Sequence, residues 1–175
     1  METVKGPDSY QNYALTRMID QYQVALLQMC FMYLHDKALA EDAVQETFLK
    51  AYKSMAAFRG ECSEKTWLMR IAVNTCRDMK RGAWFRYIDR RVTPEDIAPI
   101  PVQTVEDYDA EELAQAIVKL PCKHKEVVLL YYYQDMTMRE IADTLGIAVS
   151  SVSGRLKQAC AKLRKVLEKE GAYGR

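Results

Sequence analysis

Histidine and glycine are scarce in this chain of 175 residues, and their scarcity argues against an enzyme or a metal protein. Only His35 and His124 occur, and neither stands at zinc-ligand spacing from a cysteine. The seven glycines form no phosphate-binding loop, and no nucleophile has a convincing base nearby. We therefore predict no catalytic residue, no metal site and no cofactor.

Long apolar runs are also missing. The run at 127–133 falls far short of the roughly 18 to 20 apolar residues that cross a bilayer. The first seven residues, Met-Glu-Thr-Val-Lys-Gly-Pro, lack the basic-then-apolar plan of a signal peptide. The sequence thus predicts a cytoplasmic protein with no direct membrane insertion.

Paired cysteine motifs are absent, although five cysteines occur: Cys30, Cys62, Cys76, Cys122 and Cys160. None forms a CxxC pair, and their number is odd. We interpret them as reduced, mostly structural thiols of a cytosolic protein. A redox-sensing role is the alternative, and it has no positive signal in the sequence.

The charge pattern is stronger than the net charge of +1 suggests. Seven acids and no base lie between residues 92 and 116, and the blocks on either side are both basic. Apolar residues make up 49% of the chain, which is typical of a globular protein. Because fields act locally, the two basic blocks favour a polyanionic partner.

Residues 137–164 predict a helix, a tight turn and a second helix. Thr137 and Glu140 form a capping box that starts the first helix, and Gly146 suits the left-handed conformation that ends it. We expect Ile147 and Val149 to anchor the turn. Two apolar stripes face a core: Ile141, Ala142 and Leu145, then Val152, Leu156, Ala159 and Leu163.

The opposite face of that second helix is polar and basic. Hydroxyls, an amide and cations suit base edges and phosphates, as in a helix-turn-helix that places one helix in the DNA major groove. An ordinary helical hairpin with a solvated face is the alternative. The residues of this face are Ser150, Ser151, Ser153, Arg155, Lys157, Gln158 and Lys162.

The first block predicts at least three helices. They run from about 13 to 34, from an N-cap at Asp36 to about Phe58, and from Thr66 to about Arg81. On the second helix an apolar stripe is expected to be buried, whereas another face combines carboxylates with an exposed leucine and tyrosine. That face is either a docking surface or a solvated one, and it comprises Glu41, Gln45, Leu49 and Tyr52.

Basic side chains and an amide collect on the third helix, behind a loop at 59–63. Such a surface suits single-stranded or distorted DNA. Aromatics can stack on bases, although Trp67 fits a core position better. The residues concerned are Asn74, Arg77, Lys80 and Arg81, with Arg70 close by, and the other aromatics are Trp84, Phe85 and Tyr87.

Taken together, these segments resemble a known family. The order is Asp-x-x-x-Ala-Glu-Asp-x-x-Gln-Glu-Thr-Phe, Thr-Trp-Leu-x-x-Ile-Ala-x-Asn-x-Cys-x-Asp, an acidic segment, Leu-Pro, and Glu-Ile-Ala-x-x-Leu-Gly-Ile. Over about residues 10 to 168 the chain is similar to the extracytoplasmic-function (ECF) group of bacterial sigma factors. The resemblance implies an all-α protein of two small helical domains joined by an acidic flexible linker, the second domain containing the helix-turn-helix.

The implied domains are 10–91 for polymerase docking and minus-ten melting, 92–108 for the linker, and 109–170 for reading the minus-thirty-five duplex. A capping box of Asp109 and Glu112 opens the second domain, and Leu120-Pro121 ends its first helix. A helix from Lys123 to about Gln134 then precedes the helix-turn-helix, so four helices are expected in the second domain.

The resemblance also assigns site residues. The residues that match the family's docking surface for core RNA polymerase are Asp36, Glu41, Asp42, Gln45, Glu46, Phe48 and Leu49. Tyr52, expected on the exposed face with Glu41, Gln45 and Leu49, is added to this set. The minus-ten set is Arg59, Ser63, Lys65, Asn74, Arg77, Lys80 and Arg81. The minus-thirty-five set is Thr137, Arg139, Ser150, Ser151, Ser153, Arg155, Lys157 and Gln158.

The implied partners are core RNA polymerase, through its beta-prime clamp helices and beta flap, promoter DNA and a cognate anti-sigma factor that can hold the chain at the membrane. The acidic linker is expected to occupy the path of RNA in the polymerase cleft. The chain departs from the family pattern at Glu64 in the melting loop and at four positions of the recognition helix, Ser153, Gly154, Gln158 and Cys160. Gly154 either permits close approach to DNA or is merely tolerated.

Two other classes of function compete with this interpretation. A stand-alone regulator would bind duplex DNA through the helix-turn-helix without polymerase, but it leaves the first block unexplained. An enzyme is the third class, and the residues give it no support.

Overall fold

The computed structural model describes residues 7–82 and 108–171, with side chains over 10–82 and 113–166. The first domain contains α1 (Pro7–Leu34), α2 (Lys37–Ser54), a 3-10 turn (Met55–Ala57) and α3 (Glu64–Arg81). The second contains α4 (Tyr108–Val118), α5 (Cys122–Val128), a π-helical segment (Leu129–Tyr133), α6 (Met138–Leu145) and α7 (Val149–Gly171). No strand occurs within these residues, and the expected all-α fold of two domains is confirmed.

Side-chain caps fix where the helices of the first domain begin. The Asp36 carboxylate accepts the Leu39 backbone N–H at 2.8 Å, as an N-cap should. The Ser63 hydroxyl accepts the Thr66 N–H at 3.1 Å, so α3 begins at Glu64, two residues earlier than predicted. The second helix gives way to the 3-10 turn after Ser54, before the predicted end near Phe58.

The helix-turn-helix has the predicted local geometry. The Thr137 N–H donates to the Glu140 carboxylate at 2.9 Å, and the Glu140 N–H donates to the Thr137 hydroxyl at 3.3 Å. Gly146 ends α6 with φ of 66°. Ile147 is partly buried, but Val149 is 46% exposed, so the prediction that Val149 anchors the turn was wrong.

The core positions predicted for α6 and α7 are confirmed. All seven side chains are buried, namely Ile141, Ala142, Leu145, Val152, Leu156, Ala159 and Leu163. The break at Leu120-Pro121 is also present, because α4 ends at Val118 and α5 starts at Cys122. The first helix of this domain begins at Tyr108, ahead of the proposed cap at Asp109; the side chains of 108–112 lie outside the described residues.

The two domains pack against each other. The third helix contacts α6, and α1 contacts both the π-helical segment and α5. The buried side chains of both domains belong to one hydrophobic cluster, in which Tyr33, Leu26 and Met29 are among the largest fully buried side chains. The sequence predicted two domains but not this contact between them.

Within 7–82 and 108–171, no helix combines the length and the apolarity that a membrane span requires.

Replacing Gly154 by alanine should stabilise the fold. A Cβ at this position would meet no heavy atom within 4 Å, and alanine favours an α-helix over glycine. We expect the free energy of unfolding to rise by about 0.5 to 1 kcal/mol in urea titrations.

Gly146→Ala is the matched control, since it places the same methyl group at φ of 66° and should cost about 1 to 2 kcal/mol. Equal destabilisation by both substitutions would contradict the assignment of Gly154 as an ordinary helical position.

Candidate functional site

The face of α7 predicted to meet DNA points to solvent. Its serines and Lys157 are exposed, and Arg155 is half-buried. Gln158 is also exposed, but its Oε1 lies 3.0 Å from Nε2 of buried His124, a contact that orients the side-chain amide. The helix therefore presents hydroxyls, an amide and cations on one side, while its apolar stripe holds it to the domain.

Thr137 and Arg139, the two predicted DNA-binding residues at the start of α6, differ in whether their side chains are already hydrogen-bonded. Arg139 is exposed, and its guanidinium has no hydrogen bond among the described residues. The Thr137 hydroxyl is already engaged, because it donates to the Glu140 carboxylate at 2.8 Å and caps the helix. The hydroxyl of Thr137 is thus occupied as a helix cap.

The predicted docking face of α2 is largely exposed. Glu41, Asp42, Gln45 and Leu49 face solvent, and Leu49 is 54% exposed. Asp36, Glu46 and Tyr52 are half-buried.

Phe48 differs from the rest of this predicted set, because it is only 7% exposed. It packs in the hydrophobic core, beneath the exposed residues of α2.

The predicted minus-ten residues divide between solvent and the second domain. Arg59, Ser63, Asn74 and Arg81 are exposed, although the Ser63 hydroxyl also caps α3. The other three face the second domain or its edge: Lys65, Arg77 and Lys80 are half-buried. The Lys65 ammonium donates a hydrogen bond to the Gln134 backbone carbonyl, across the domain boundary.

A buried carboxylate of the second domain binds the third helix of the first. Glu126 is 4% exposed, and its two oxygens accept hydrogen bonds from Nε and one terminal nitrogen of Arg77, both at 2.8 Å. The Tyr33 hydroxyl donates to the same carboxylate at 2.8 Å. The hydrogen bond to Glu126 raises the pKa of Arg77, while burial, followed by the charge of Glu126, raises the pKa of the Tyr33 phenol.

A second polar contact crosses the same boundary. Nζ of Lys125 lies 2.7 Å from Nε2 of His35, which fits an ammonium donating to a neutral imidazole. Burial, then Lys125, then Lys80 lowers the pKa of His35 to about 3. Burial, then Lys80, lowers the pKa of Lys125 to about 8. His35 has a left-handed backbone with φ of 59°. Close by, Nζ of Lys80 lies 5.0 Å from the centre of the Tyr33 ring.

The structure locates some of the other predicted features, and the remaining ones lie outside the described residues. Trp67 stacks on Phe58 with ring centroids 4.6 Å apart and packs against the core, as expected for a structural residue. Cys30 and Cys76 are both buried, and the hydrogen bond between the two thiols together with burial raises the pKa of the Cys76 thiol. The aromatics at 84, 85 and 87 and the linker at 92–108 lie outside the described residues.

The sequence interpretation missed the residues that join the domains. Tyr33, His35, Lys125, Glu126 and Gln134 were assigned no role. One signal was available, since the consecutive polar residues 124–126 directly precede the apolar run that begins at 127. Because α5 is buried together with this apolar run, its charged side chains need hydrogen-bond partners. Here the partners of Lys125 and Glu126 come from the other domain.

Comparison with known families agrees with this two-domain geometry. Residues 18–86 match Sigma-70 region 2, and residues 116–165 match Sigma-70, region 4. The chain belongs to the ECF group of RNA polymerase sigma factors. The ECF RNA polymerase sigma factor SigL of Mycobacterium tuberculosis is 30% identical over an alignment covering 98% of both chains.

Two relatives from Bacillus subtilis are similar to a comparable degree. RNA polymerase sigma factor YlaC is 32% identical and covers 85% of this chain and 89% of its own length. ECF RNA polymerase sigma factor SigW is 30% identical over 88% of this chain and 89% of its own. The likeness therefore extends through both domains of the sigma factor.

Solved structures share the fold. CnrH in complex with the cytosolic domain of CnrY has a TM-score of 0.68 and 26% identity, covering 90% of each chain. RpoE of Bartonella quintana, in complex with the anti-sigma factor NepR, has a TM-score of 0.68 at 21% identity, covering 87% of this sigma factor and 96% of that chain.

Acid should destabilise the sigma factor through His35. Its folded-state pKa of about 3 lies below its ordinary value of 6.5, so the unfolded chain binds more protons between these pH values. The contribution of neutral His35 is therefore complete above pH 6.5 and is lost as the pH falls toward 3. Between pH 7 and 5 we expect this histidine to reduce the free energy of unfolding by about 1 to 2 kcal/mol.

His35→Asn keeps a residue that tolerates the left-handed backbone and removes the titrating group. Urea titrations at both pH values should show a smaller acid loss in this variant than in the parent. His124→Asn is the control for removal of a histidine elsewhere. If His35→Asn and the parent lose the same stability, the buried neutral imidazole is not the cause.

Proposed function

We propose that this sigma factor binds core RNA polymerase through the exposed face of α2 and directs initiation at promoters by contacting two DNA elements. The observation that carries the proposal is that acidic and basic faces lie on different helices. A carboxylate-rich face with a 54% exposed leucine lies on α2, while separate basic faces lie on α3 and α7. One class of partner does not account for both kinds of surface.

The second domain is suited to read the minus-thirty-five duplex. Its recognition helix offers Ser150, Ser151 and Ser153 at the N-terminal end and Arg155 and Lys157 farther along. Short hydroxyl side chains let a helix approach base edges closely, whereas cations fix its register on phosphates. The same domain is proposed to contact the beta flap.

The first domain is suited to the minus-ten element. Asn74 is exposed on α3 behind the loop at 59–63, where an amide can hydrogen-bond to the edge of a base that leaves the stack. Arg59 and Arg81 supply exposed cations around it, and half-buried Lys65, Arg77 and Lys80 belong to the same proposed set. Melting then needs binding energy for the separated strand but no nucleotide hydrolysis by this chain.

Docking is proposed to use the beta-prime clamp helices. An exposed leucine among carboxylates combines an apolar anchor with charges that select a basic partner. Buried Phe48 and capping Asp36 hold this face in place. The contact would bring the sigma factor to the polymerase before any DNA is melted.

An anti-sigma factor is the proposed restraining partner. The structures of CnrH and of Bartonella quintana RpoE are complexes, with the cytosolic domain of CnrY and with NepR respectively. A comparable partner would keep this sigma factor in the cytoplasm or hold it at the membrane. The acidic linker is proposed to occupy the RNA path in the polymerase cleft and to be displaced by the transcript.

Removing the apolar anchor and its neighbouring amide should weaken polymerase binding. We expect Gln45→Ala with Leu49→Ala to raise the Kd for core RNA polymerase by about tenfold or more, since truncated interface anchors typically cost more than 1 kcal/mol. The measurement is a solution titration of labelled sigma factor, with competition by the bacterial housekeeping sigma factor.

Val24→Ala is the control, because Val24 is 62% exposed on α1, outside the proposed face. Circular dichroism would establish that all variants remain folded. Unchanged affinity of the folded double variant would refute the docking face. Complete absence of binding by the parent would instead favour a stand-alone DNA-binding regulator.

Removing two cations from α7 should lower the salt dependence of promoter binding. Each phosphate contact that is lost reduces the slope of log K against log salt by about 0.9 in duplex DNA, so Arg155→Ala with Lys157→Ala should reduce it by about 1 to 2. The measurement is holoenzyme binding to a promoter duplex across a salt series.

Lys119→Ala with Lys123→Ala removes the same charge from exposed positions outside α7 and should leave the slope nearly unchanged. Equal slopes in the Arg155/Lys157 variant and the parent would show that these side chains do not contact phosphates.

A further inference from the structure

A buried histidine lies directly behind one of the residues proposed to read the minus-thirty-five duplex. His124 on α5 is 2% exposed, and its Nε2 lies 3.0 Å from Oε1 of Gln158 on α7. The backbone N–H of His124 donates to the Pro121 carbonyl at 2.9 Å, which fixes the histidine at the start of α5. Because the imidazole is held inside the domain, it can set the orientation of an amide at the surface.

The surroundings of the imidazole decide which of its nitrogens carries the hydrogen. Nδ1 of His124 is buried and has no hydrogen-bond partner among the described residues. With the hydrogen on Nε2, the ring donates to the Gln158 oxygen and leaves only an acceptor unpaired. With the hydrogen on Nδ1, a buried N–H would lack an acceptor, and such unpaired donors are rarer in proteins than unpaired acceptors. Nε2 of His124 is therefore the donor, and Oε1 of Gln158 is the acceptor.

This hydrogen bond changes what Gln158 offers to DNA. A free glutamine amide is bidentate toward adenine, since its oxygen accepts from N6 and its nitrogen donates to N7. In this structure the oxygen is directed at a buried group, whereas the amide nitrogen of exposed Gln158 has no partner among the described residues. Only the donor end is left to meet a base. Guanine, which has acceptors at N7 and O6, matches two donor hydrogens.

We propose that His124 is a positioning residue for promoter recognition, which makes Gln158 prefer guanine over adenine at one base pair of the minus-thirty-five element. This inference rests on the proposed function, because it assigns a base preference to one residue of the recognition helix. The hydrogen bond between His124 and Gln158 is a property of the free sigma factor and can be tested without DNA.

The position of the imidazole hydrogen is measurable in the free chain. Heteronuclear NMR spectra of the imidazole nitrogens of the full-length sigma factor, recorded slightly above neutral pH, should show His124 with its hydrogen on Nε2. His35 is the internal contrast, since its Nε2 lies 2.7 Å from the Lys125 ammonium and should be the unprotonated nitrogen. Gln158→Ala removes the acceptor and should shift the Nε2 resonance of His124 alone.

The base preference is measured with holoenzyme and a pool of promoter duplexes randomised across the minus-thirty-five element. Sequencing of the bound duplexes gives the preference at each position, and Gln158→Ala identifies the base pair that this side chain contacts. At that base pair the parent should prefer guanine. His124→Leu has no donor, so the freed amide can turn and pair with adenine, and the ratio of guanine to adenine should fall by about tenfold.

Two further variants separate positioning from a merely structural role. His124→Gln carries an amide N–H near the place of Nε2 and should keep the guanine preference. Thr144→Val removes the unpaired hydroxyl of another buried residue of the same domain, away from Gln158, and should also leave the preference as in the parent. Should His124→Leu fail to fold by circular dichroism, His124→Asn, whose shorter side chain does not reach Gln158, replaces it.

The outcomes distinguish this inference from the proposed function. A hydrogen on Nδ1 of His124 would overturn the positioning role, whatever the holoenzyme does. So would an unchanged guanine preference in the folded His124 variant that lacks the donor, at the base pair that responds to Gln158→Ala. A parent that prefers adenine there, or a Gln158→Ala variant with no effect at any position, would also overturn it and leave the proposed function standing. A parent holoenzyme with no base preference anywhere in the element would overturn the proposed function and this inference together.

Discussion

One buried carboxylate, that of Glu126, joins the two domains by hydrogen bonds within their shared hydrophobic contact. Glu126 is almost inaccessible to water, and a buried charge is costly unless it is paired and fully hydrogen-bonded. Both of its partners, Arg77 and Tyr33, belong to the first domain. The hydrogen-bond partners that compensate the burial of this charge are therefore present only while the first domain lies against the second.

The same dependence explains the residues around the carboxylate. Lys125 is also buried, and the neutral imidazole of His35 accepts its hydrogen bond. Gln134 is buried as well, and its amide donates to the backbone carbonyl of Ala25 on α1 at 3.1 Å. Glu126, Lys125 and Gln134 of the second domain thus each have a specific partner in the first domain, and together these contacts favour one relative position of the domains.

Local structure could be predicted from the sequence because its causes are local. The capping box at Thr137 and Glu140, the left-handed Gly146 and the buried stripe of α7 all depend on residues within a few positions of one another. The solvent-facing sides of α2 and α7 follow from the same periodicity. One error, the expectation that Val149 anchors the turn, concerns a position whose exposure is decided by tertiary packing and not by local spacing.

The contact between the domains could not be predicted in this way. Tyr33 and Glu126 are 93 positions apart in the chain, and Arg77 and Glu126 are 49 apart. No periodicity connects residues at such distances, and an acidic segment between two blocks is as compatible with separated domains as with packed ones. The sequence placed Arg77 among basic side chains and an amide on the third helix, but it gave no means to see that this guanidinium meets the Glu126 carboxylate.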